Sequence, residues 1–189
     1  MPLPLSSTSS RRLQAGHTGN GYRRCVEVHR LRATEGARLR DLRLEALRES
    51  PSAFATSLER ARTRPPEYWD QAATESEAGD SRVTLIAVED QAWVGMAAGF
   101  LHDDEPDTAG LGALWVSPGF RGAGVGRRLV EAVADWARDR GVALLETSVA
   151  AGNKTAVDLF RRAGFLPTGK ERPLASNSSL TEVFLAREL

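Results

Sequence analysis

The sequence predicts a single α/β (mixed α+β) domain, a twisted central sheet of about six to seven strands with helices on both faces. Three observations lead to this prediction. Short apolar runs typical of strands alternate with stretches whose apolar residues recur at helical spacing. The length of 189 residues suits one domain. A strand, a glycine-rich turn and an amphipathic helix follow one another directly between Leu111 and Trp136.

Residues 1–24 are predicted to form a disordered N-terminal tail. They are rich in Ser, Gly and Arg and contain no Asp or Glu. They show no apolar periodicity that could repay the entropy of ordering the chain. Pro2, Pro4 and the glycines argue against an amphipathic transit peptide, and the apolar core of a secretory signal is missing. The folded domain is therefore expected to span residues 25–189.

Two helices are predicted after a first strand at Val26–Leu31, which alternates apolar and polar residues. The first helix runs from Thr34 to Ser50. Its apolar face is formed by leucines at helical spacing: Leu39, Leu42 and Leu47. Its opposite face is rich in arginines and is expected to be solvated: Arg38, Arg40 and Arg43. The second helix opens at Pro65-Pro66, where proline suits the first helical turn.

The remaining strands are predicted from short or alternating apolar runs. They are Arg82–Val88 and Ala92–Leu101, which form a hairpin, then Leu111–Val116, Ala143–Val149, a strand beginning at Phe165, and Leu180–Leu185. Lys170–Ser179 is polar and is expected to be an excursion between the last two strands.

The connection after Leu111–Val116 predicts a phosphate-binding site. Ser117-Pro118-Gly119 ends the strand, and a helix begins near Gly124. Three glycines remove side chains where the first N–H groups of the helix point outward: Gly122, Gly124 and Gly126. The helix dipole favours an anion at this end. Neighbouring arginines add positive charge: Arg121, Arg127 and Arg128.

Two common nucleotide-binding motifs do not fit this connection. The dinucleotide fingerprint requires a glycine three positions after Gly124, where Arg127 stands. A P-loop requires Gly-Lys-Ser/Thr, whereas residues 152–155 read Gly-Asn-Lys-Thr and lack the preceding glycine. A domain that binds ATP or NAD through this turn is therefore a poorly supported alternative.

What remains, Arg-x-x-Gly-x-Gly at residues 121–126 between a strand and a helix, resembles the Arg/Gln-x-x-Gly-x-Gly/Ala signature of the GNAT superfamily of acetyl-CoA-dependent N-acetyltransferases. A second block is similar to that family as well. After Ala143–Val149, the family's residues follow in order at Asn153, Ala156, Leu159, Gly164 and Phe165. Phe160 stands where a tyrosine is usual. The two blocks together cover roughly residues 111–165.

The resemblance implies a GNAT-like fold in which acetyl-CoA, a co-substrate, lies between two parallel strands that splay apart. Its pyrophosphate would bind backbone N–H groups at Arg121, Gly122, Ala123, Gly124, Val125, Gly126 and Arg127. Its pantetheine arm would pair with backbone at Leu114, Trp115 and Val116, as an added strand does. Asn153 would hydrogen-bond the cofactor, and the Phe160 ring would pack against it.

The implied reaction is direct transfer of the acetyl group to a primary amine, with a backbone N–H near Val116 stabilising the oxyanion. The catalytic acid and base are not assigned. Leu111–Val116 contains no carboxylate, so the candidates for the base are Glu105, Asp107 and Glu146. Phe160 cannot donate a proton to the leaving thiolate. The resemblance also places the segment between the first two helices beside the acceptor, where Phe54, Tyr68 and Trp69 either line the site or pack in the core.

The expected partner is a small-molecule or peptide amine. The 25 basic and 25 acidic residues cancel, so no nucleic acid or membrane partner is expected. The single Cys25 favours a reducing, cytoplasmic location. The three histidines show no ligand spacing, so no metal is expected. A homodimer is left open, as is the alternative of a catalytically silent acyl-CoA-binding module.

Overall fold

The computed structural model describes residues 25–189, and the prediction of a tail over residues 1–24 lies outside them. The described residues form seven strands, β1 Glu27–Arg30, β2 Arg82–Glu89, β3 Ala92–Leu101, β4 Thr108–Val116, β5 Leu144–Ala150, β6 Leu166–Leu174 and β7 Asn177–Glu188. They also form five α-helices, α1 Gly36–Glu49, α2 Leu58–Arg62, α3 Pro66–Ala78, α4 Val125–Arg138 and α5 Lys154–Arg162.

All seven strands belong to one mixed sheet, in the order β1-β2-β3-β4-β5-β7-β6. Only β4 and β5 pair in parallel within this sheet of described residues, and every other neighbouring pair is antiparallel. The hairpin between β2 and β3 turns through Asp90 and Gln91, both with positive φ, as a two-residue type I′ turn requires. The predicted fold class is confirmed.

The core consists of two apolar clusters, one on each face of the sheet. On one face, α4 contributes Val125, Leu129 and Val133, each at most 1% exposed. On the other face, the leucines of α1 and Trp69 of α3 pack on Ile86, Met96 and Trp115 of the sheet. The apolar helix faces predicted from spacing are therefore the buried ones.

The predicted polar excursion at Lys170–Ser179 is wrong. β6 continues to Leu174 and β7 begins at Asn177, so only a tight turn separates them. β6 is an edge strand that is exposed along almost its whole length, and it therefore lacks the apolar alternation of a half-buried strand. Its conformation comes from pairing with β7, which a local pattern does not reveal.

Candidate functional site

An opening lies between β4 and β5, as the resemblance implied. Their parallel ladder runs from Thr108–Leu144 to Leu111–Thr147 and stops there. Thr147 Oγ1 donates to the Leu111 carbonyl oxygen at 2.9 Å at that last pair. Beyond it β5 pairs with β7 and β4 pairs with β3, so the facing edges of the two strands separate.

β4 carries a bulge where the separation begins. One residue of β3, Ala97, opposes two residues of β4, and Ala113 has a φ of +53°. The local ladder bends at that point, which supplies a physical reason for the divergence of β4 from β5.

The backbone polar groups of Leu114 and Val116 face the opening, whereas those of Trp115 face β3. Ser117 N–H donates to the Val94 carbonyl of β3 at 2.9 Å. A Cβ built on Gly95 would lie 2.9 Å from the Trp115 carbonyl oxygen, so that carbonyl also faces β3. Successive residues of a strand turn their polar groups to opposite edges, so those of Leu114 and Val116 point toward β5. The Trp115 side chain is 4% exposed and lies in the core cluster under α1.

The glycine-rich loop adjoins this end of β4. Gly122 and Gly124 have φ values of +77° and +81°, and nothing lies within 4 Å of a Cβ built on either. The first backbone hydrogen bond of α4 joins Arg128 N–H to the Gly124 carbonyl at 3.1 Å. The N–H groups of residues 125–127 therefore precede the helical ladder and face outward. Ala123 and Arg127 are exposed, whereas the Val125 side chain is buried and contributes only its backbone.

Two of the three arginines near the loop have structural partners. Arg121 Nε donates to the Val116 carbonyl at 2.9 Å, and its Nη2 lies 2.6 Å from Glu49 Oε2. Arg128 Nη1 donates to the Val26 carbonyl at 2.6 Å. The Arg121 side chain thus fixes the end of β4 to α1. The backbone N–H of Arg121 donates to the Pro118 carbonyl.

Glu49 accepts three hydrogen bonds at the end of α1. Besides Arg121, the Ser50 hydroxyl and the Trp115 indole N–H donate to it, the latter at 3.0 Å. The hydrogen bond from Arg121, followed by those from Ser50 and Trp115, lowers the pKa of Glu49 to about 2. Glu49 is therefore a carboxylate at neutral pH and a poor proton acceptor.

Gly126 is required for helix packing, whereas Gly122 and Gly124 are required for their backbone conformation. A Cβ at this position would lie 2.6 Å from Leu159 Cδ1 of α5. Its missing side chain lets α4 approach α5, and its own N–H still belongs to the outward-facing set.

Asn153 and Phe160 have local roles in α5. Asn153 Oδ1 accepts the Ala156 N–H at 3.1 Å and caps the helix, which leaves Nδ2 as the atom that could donate to a cofactor. The Phe160 ring is 2% exposed and packs edge-to-face on Phe165, with centroids 5.2 Å apart. Contact of either residue with a cofactor stays a prediction, and Phe160 offers little surface for it.

The three carboxylates suggested by the sequence do not converge on the opening. Glu105 and Asp107 precede β4 at its opposite end, roughly 25 Å along the strand from Val116 at about 3.3 Å per residue. Glu146 pairs with Gly110, before the opening starts, and lies 3.8 Å from Lys170 Nζ.

Glu182 of β7 is the carboxylate that the sequence reasoning missed. It is 2% exposed, accepts a hydrogen bond from Ser148 Oγ at 2.8 Å and forms an ion pair with Arg172. Ser148 is the first residue of β5 beyond the last pair with β4. Glu182 alternates with Leu180 and Phe184 along β7, so it shares a face of the sheet with apolar residues. This alternation is the feature of the sequence that indicates a buried carboxylate.

A cavity of about 410 Å³ lies between the sheet and helices α1, α2 and α3. Of the aromatic residues suggested for the acceptor site, Tyr68 and Trp69 line it, and Phe54 stacks on the guanidinium of Arg43 at 4.3 Å.

Arg43 also lines the cavity, so its predicted place on a solvated face is wrong. It follows Leu39 by four residues and precedes Leu47 by four, which puts it on the buried face of α1. Burial lowers the pKa of Arg43 to about 10, an effect opposed by Tyr68.

Two searches of the described residues bear on other kinds of site. No three His, Cys, Asp or Glu side chains among residues 25–189 are grouped so that they could hold a metal ion. No helix in the same range is long and apolar enough to cross a membrane.

The chain is similar in sequence to acetyltransferases from other organisms. The chain is 29% identical over 131 residues to the L-2,4-diaminobutyric acid acetyltransferase of Nocardia farcinica, covering 59% of this chain and 68% of that protein. It is 42% identical over 59 residues to the streptothricin acetyltransferase of Streptomyces lavendulae, which covers 31% of each. The chain thus spans less than a third of that second relative.

A solved structure has the same fold. A Salmonella typhimurium protein, determined with its cofactor acetyl-CoA, superposes with a TM-score of 0.72 at 19% identity over 87% of this chain and 94% of its own. The sequence model of the acetyltransferase (GNAT) family matches residues 42–165, which include the bulged strand, the glycine-rich loop and α5. With more than half of its length matched, the chain belongs to the acetyltransferase (GNAT) family.

Proposed function

We propose that this protein is an acetyl-CoA-dependent N-acetyltransferase that moves an acetyl group directly to a primary amine of a small molecule or protein. One observation carries the proposal: the parallel ladder of β4 and β5 stops at Leu111–Thr147, and the glycine-rich loop follows the freed end of β4. A groove for an extended arm therefore adjoins a site for an anion. The names of the relatives and the acetyl-CoA of the Salmonella structure support the same chemistry.

The loop suits a pyrophosphate. Its outward-facing N–H groups at residues 125–127 stand at the positive end of the α4 dipole. Gly122 and Gly124 leave open space where side chains would otherwise project. Arg121, with its side chain paired to Glu49, holds the loop in place, and exposed Arg127 adds positive charge. In this proposal residues 122–127 bind the cofactor mainly through backbone groups, and Arg121, whose own N–H donates to the Pro118 carbonyl, acts through the position of the loop.

The freed edge of β4 suits the pantetheine arm. Leu114 and Val116 offer backbone polar groups toward the opening, and an extended amide chain can pair with them as a strand would. Trp115 contributes through its packing under α1, not through its polar groups. Bound acetyl-CoA supplies the activated acetyl thioester. The Val116 N–H would donate to the oxygen that becomes negative when the amine attacks.

Glu182 is our candidate for the group that takes the proton from the amine. It is buried beside the opening and hydrogen-bonded to Ser148, whereas Glu49 is too acidic for this role. Ser148 lies between Glu182 and the opening and donates its hydroxyl proton to Glu182. The Ser148 oxygen would therefore accept the proton of the amine, directly or through one water molecule, as its own proton passes to Glu182. No residue is assigned as the acid for the leaving thiolate, since Phe160 has no proton to donate.

The remaining expectations about the protein stay predictions. These are the absence of nucleic acid, membrane and metal partners, the open homodimer and the cytoplasmic location.

The first test is isothermal titration of the protein with acetyl-CoA, beside a Gly124→Glu variant that places a carboxylate in the anion site. We expect binding by the wild type and a loss of at least ten-fold in affinity in the folded variant. Failure of the wild type to bind acetyl-CoA would contradict the proposal.

A second candidate, a silent acyl-CoA-binding module, is favoured by Phe160 and by the lack of a carboxylate in Gly112–Val116. Release of free thiol with an amine present distinguishes the enzyme from this module.

A further inference from the structure

Arg43 and Trp69 each bury a hydrogen-bond donor that has no partner. Among the described residues, the buried side-chain nitrogens and oxygens without a hydrogen-bond partner are Arg43 Nη1 and Trp69 Nε1. Leaving such a donor unpaired destabilises the fold, and more so when the group is charged. Both residues line the same cavity, so one bound group could satisfy both donors.

The cavity is cationic. Its lining includes Arg43, Arg64 and Arg82, and none of the described residues that line it is Asp or Glu. Arg64 stacks on Tyr68 at 4.5 Å, and Arg82 lies 3.6 Å from Glu75, which is outside the lining. Arg43 remains charged at neutral pH because its lowered pKa is still about 10. A ligand of this cavity should therefore carry negative charge.

The cavity extends to the proposed reaction site. Ala113, the bulged residue of β4, is part of its lining. The next residue, Leu114, turns its backbone toward the opening in which acetyl-CoA is proposed to lie. A molecule held by Arg43 and Trp69 can thus extend toward the acetyl group from the side of the sheet that α1 and α3 cover.

We propose that the acetyl acceptor is a small amine that also carries a carboxylate, and that Arg43 Nη1 and Trp69 Nε1 bind this carboxylate. Guanidinium and carboxylate match in charge and in planar geometry, and the indole N–H provides a neutral second donor. This inference rests on the proposed function and specifies its substrate class. The substrate in the name of the Nocardia relative, an amino acid, is of this class.

The test compares acceptors that differ only in the carboxylate. L-2,4-diaminobutyrate is paired with 1,3-diaminopropane, L-lysine with 1,5-diaminopentane, and L-phenylalanine with 2-phenylethylamine. Thiol release gives kcat/KM for each with the wild type, Arg43→Met, Arg43→Lys and Trp69→Phe. Arg48→Met, an exposed arginine on the same helix, is the matched control.

We expect the wild type to prefer the carboxylate in at least one pair by roughly 10- to 100-fold in kcat/KM. Arg43→Met should abolish that preference without slowing the partner amine, Arg43→Lys should restore part of it, and Arg48→Met should leave it unchanged. Equal use of both members in every pair would overturn the proposal while transfer itself persists. Equal loss for both members in Arg43→Met would overturn it as well.

Binding gives a readout that does not depend on turnover. The Trp69 Nε1–H resonance of ¹⁵N-labelled protein, identified by its loss in Trp69→Phe, is followed during titration with the same acceptors in the presence of coenzyme A. A shift with an amino acid but not with its decarboxylated partner supports the carboxylate site at Arg43 and Trp69 independently of turnover. No shift with any of the three amino acids at millimolar concentration overturns it. Failure of the proposed function is distinct, because acetyl-CoA would then not bind, or would bind without thiol release in the presence of any amine.

Discussion

Arg121 and Glu49 form an ion pair, Nη2 to Oε2 at 2.6 Å, that joins the start of the glycine-rich loop to the end of α1. The same guanidinium holds the Val116 carbonyl, and the same carboxylate holds the Trp115 indole. The pair therefore fixes the freed end of β4 from both sides. The side chain of the first arginine of the motif therefore holds the shape of the loop, and in the proposed function the anion is bound by backbone groups.

Glu49→Gln and Arg121→Ala should each lower the free energy of unfolding by about 1 kcal/mol, since the bonds are charge-assisted but partly exposed. The double variant should lose less than the sum, because both changes break one interaction. Urea unfolding of the four proteins measures the coupling. Strict additivity would show that the pair contributes nothing.

The Glu49 interaction should also make stability depend on pH in the acid range. The folded pKa of about 2 lies below the ordinary value of 4.5, so this group stabilises the fold fully above pH 4.5 and progressively less as the pH falls toward 2. The difference in Tm between the wild type and Glu49→Gln should be constant between pH 6 and 8. It should shrink below pH 4.5, and a constant difference down to pH 3 would contradict the assignment.

Gly124→Ala should lower both the stability of the fold and the affinity for acetyl-CoA, and the loss of affinity should exceed what the loss of stability explains. At a φ of +81° a side chain costs about 1–2 kcal/mol, and the new methyl group also enters the anion site. Gly141→Ala is a matched control, because Gly141 has a φ of +73° and equally open surroundings but follows the far end of α4. Both should lose similar stability by thermal unfolding, and only Gly124→Ala should lose affinity by titration calorimetry.

Asn153 variants separate helix capping from cofactor binding. Asn153→Ala should cost about 1 kcal/mol of stability through loss of the cap. Asn153→Asp keeps an acceptor for the Ala156 N–H and should keep that stability, but it removes the Nδ2 donor. Weaker acetyl-CoA binding by Asn153→Asp would therefore support a direct contact, although its added negative charge requires Asn153→Ser as a neutral comparison. Unchanged affinity in all three variants would leave Asn153 with capping alone.

Glu182→Gln should lower kcat by about 100-fold or more if Glu182 takes up the proton of the amine. The rise of kcat/KM on the acid side of the pH profile should change with it, which a merely structural role would not produce. Glu171→Gln, on the exposed adjoining strand, is the control. An unaltered pH profile in a folded Glu182→Gln protein would exclude this role.

Much of the fold followed from local patterns because burial imposes a period on the chain. The leucines of α1 and the apolar face of α4 lie on the predicted buried sides, and the predicted hairpin of β2 and β3 is present. Edge strand β6 was partly missed because exposure on both faces removes that period. The glycine-rich loop was also readable, since Gly122 and Gly124 need a backbone conformation that other residues rarely adopt.

By itself, the sequence determined the order of the elements and the place of the glycine-rich loop, because both depend on residues adjacent in the chain. Only the tertiary structure decided that Arg121 pairs with Glu49, 72 positions away, and that Gly126 is required by Leu159 of another helix. It also decided that Arg43 and Trp69, each with a buried donor that has no partner, line one cavity and that Glu182 lies beside Ser148. These relationships depend on how separate elements pack, and neither spacing nor composition contains that information.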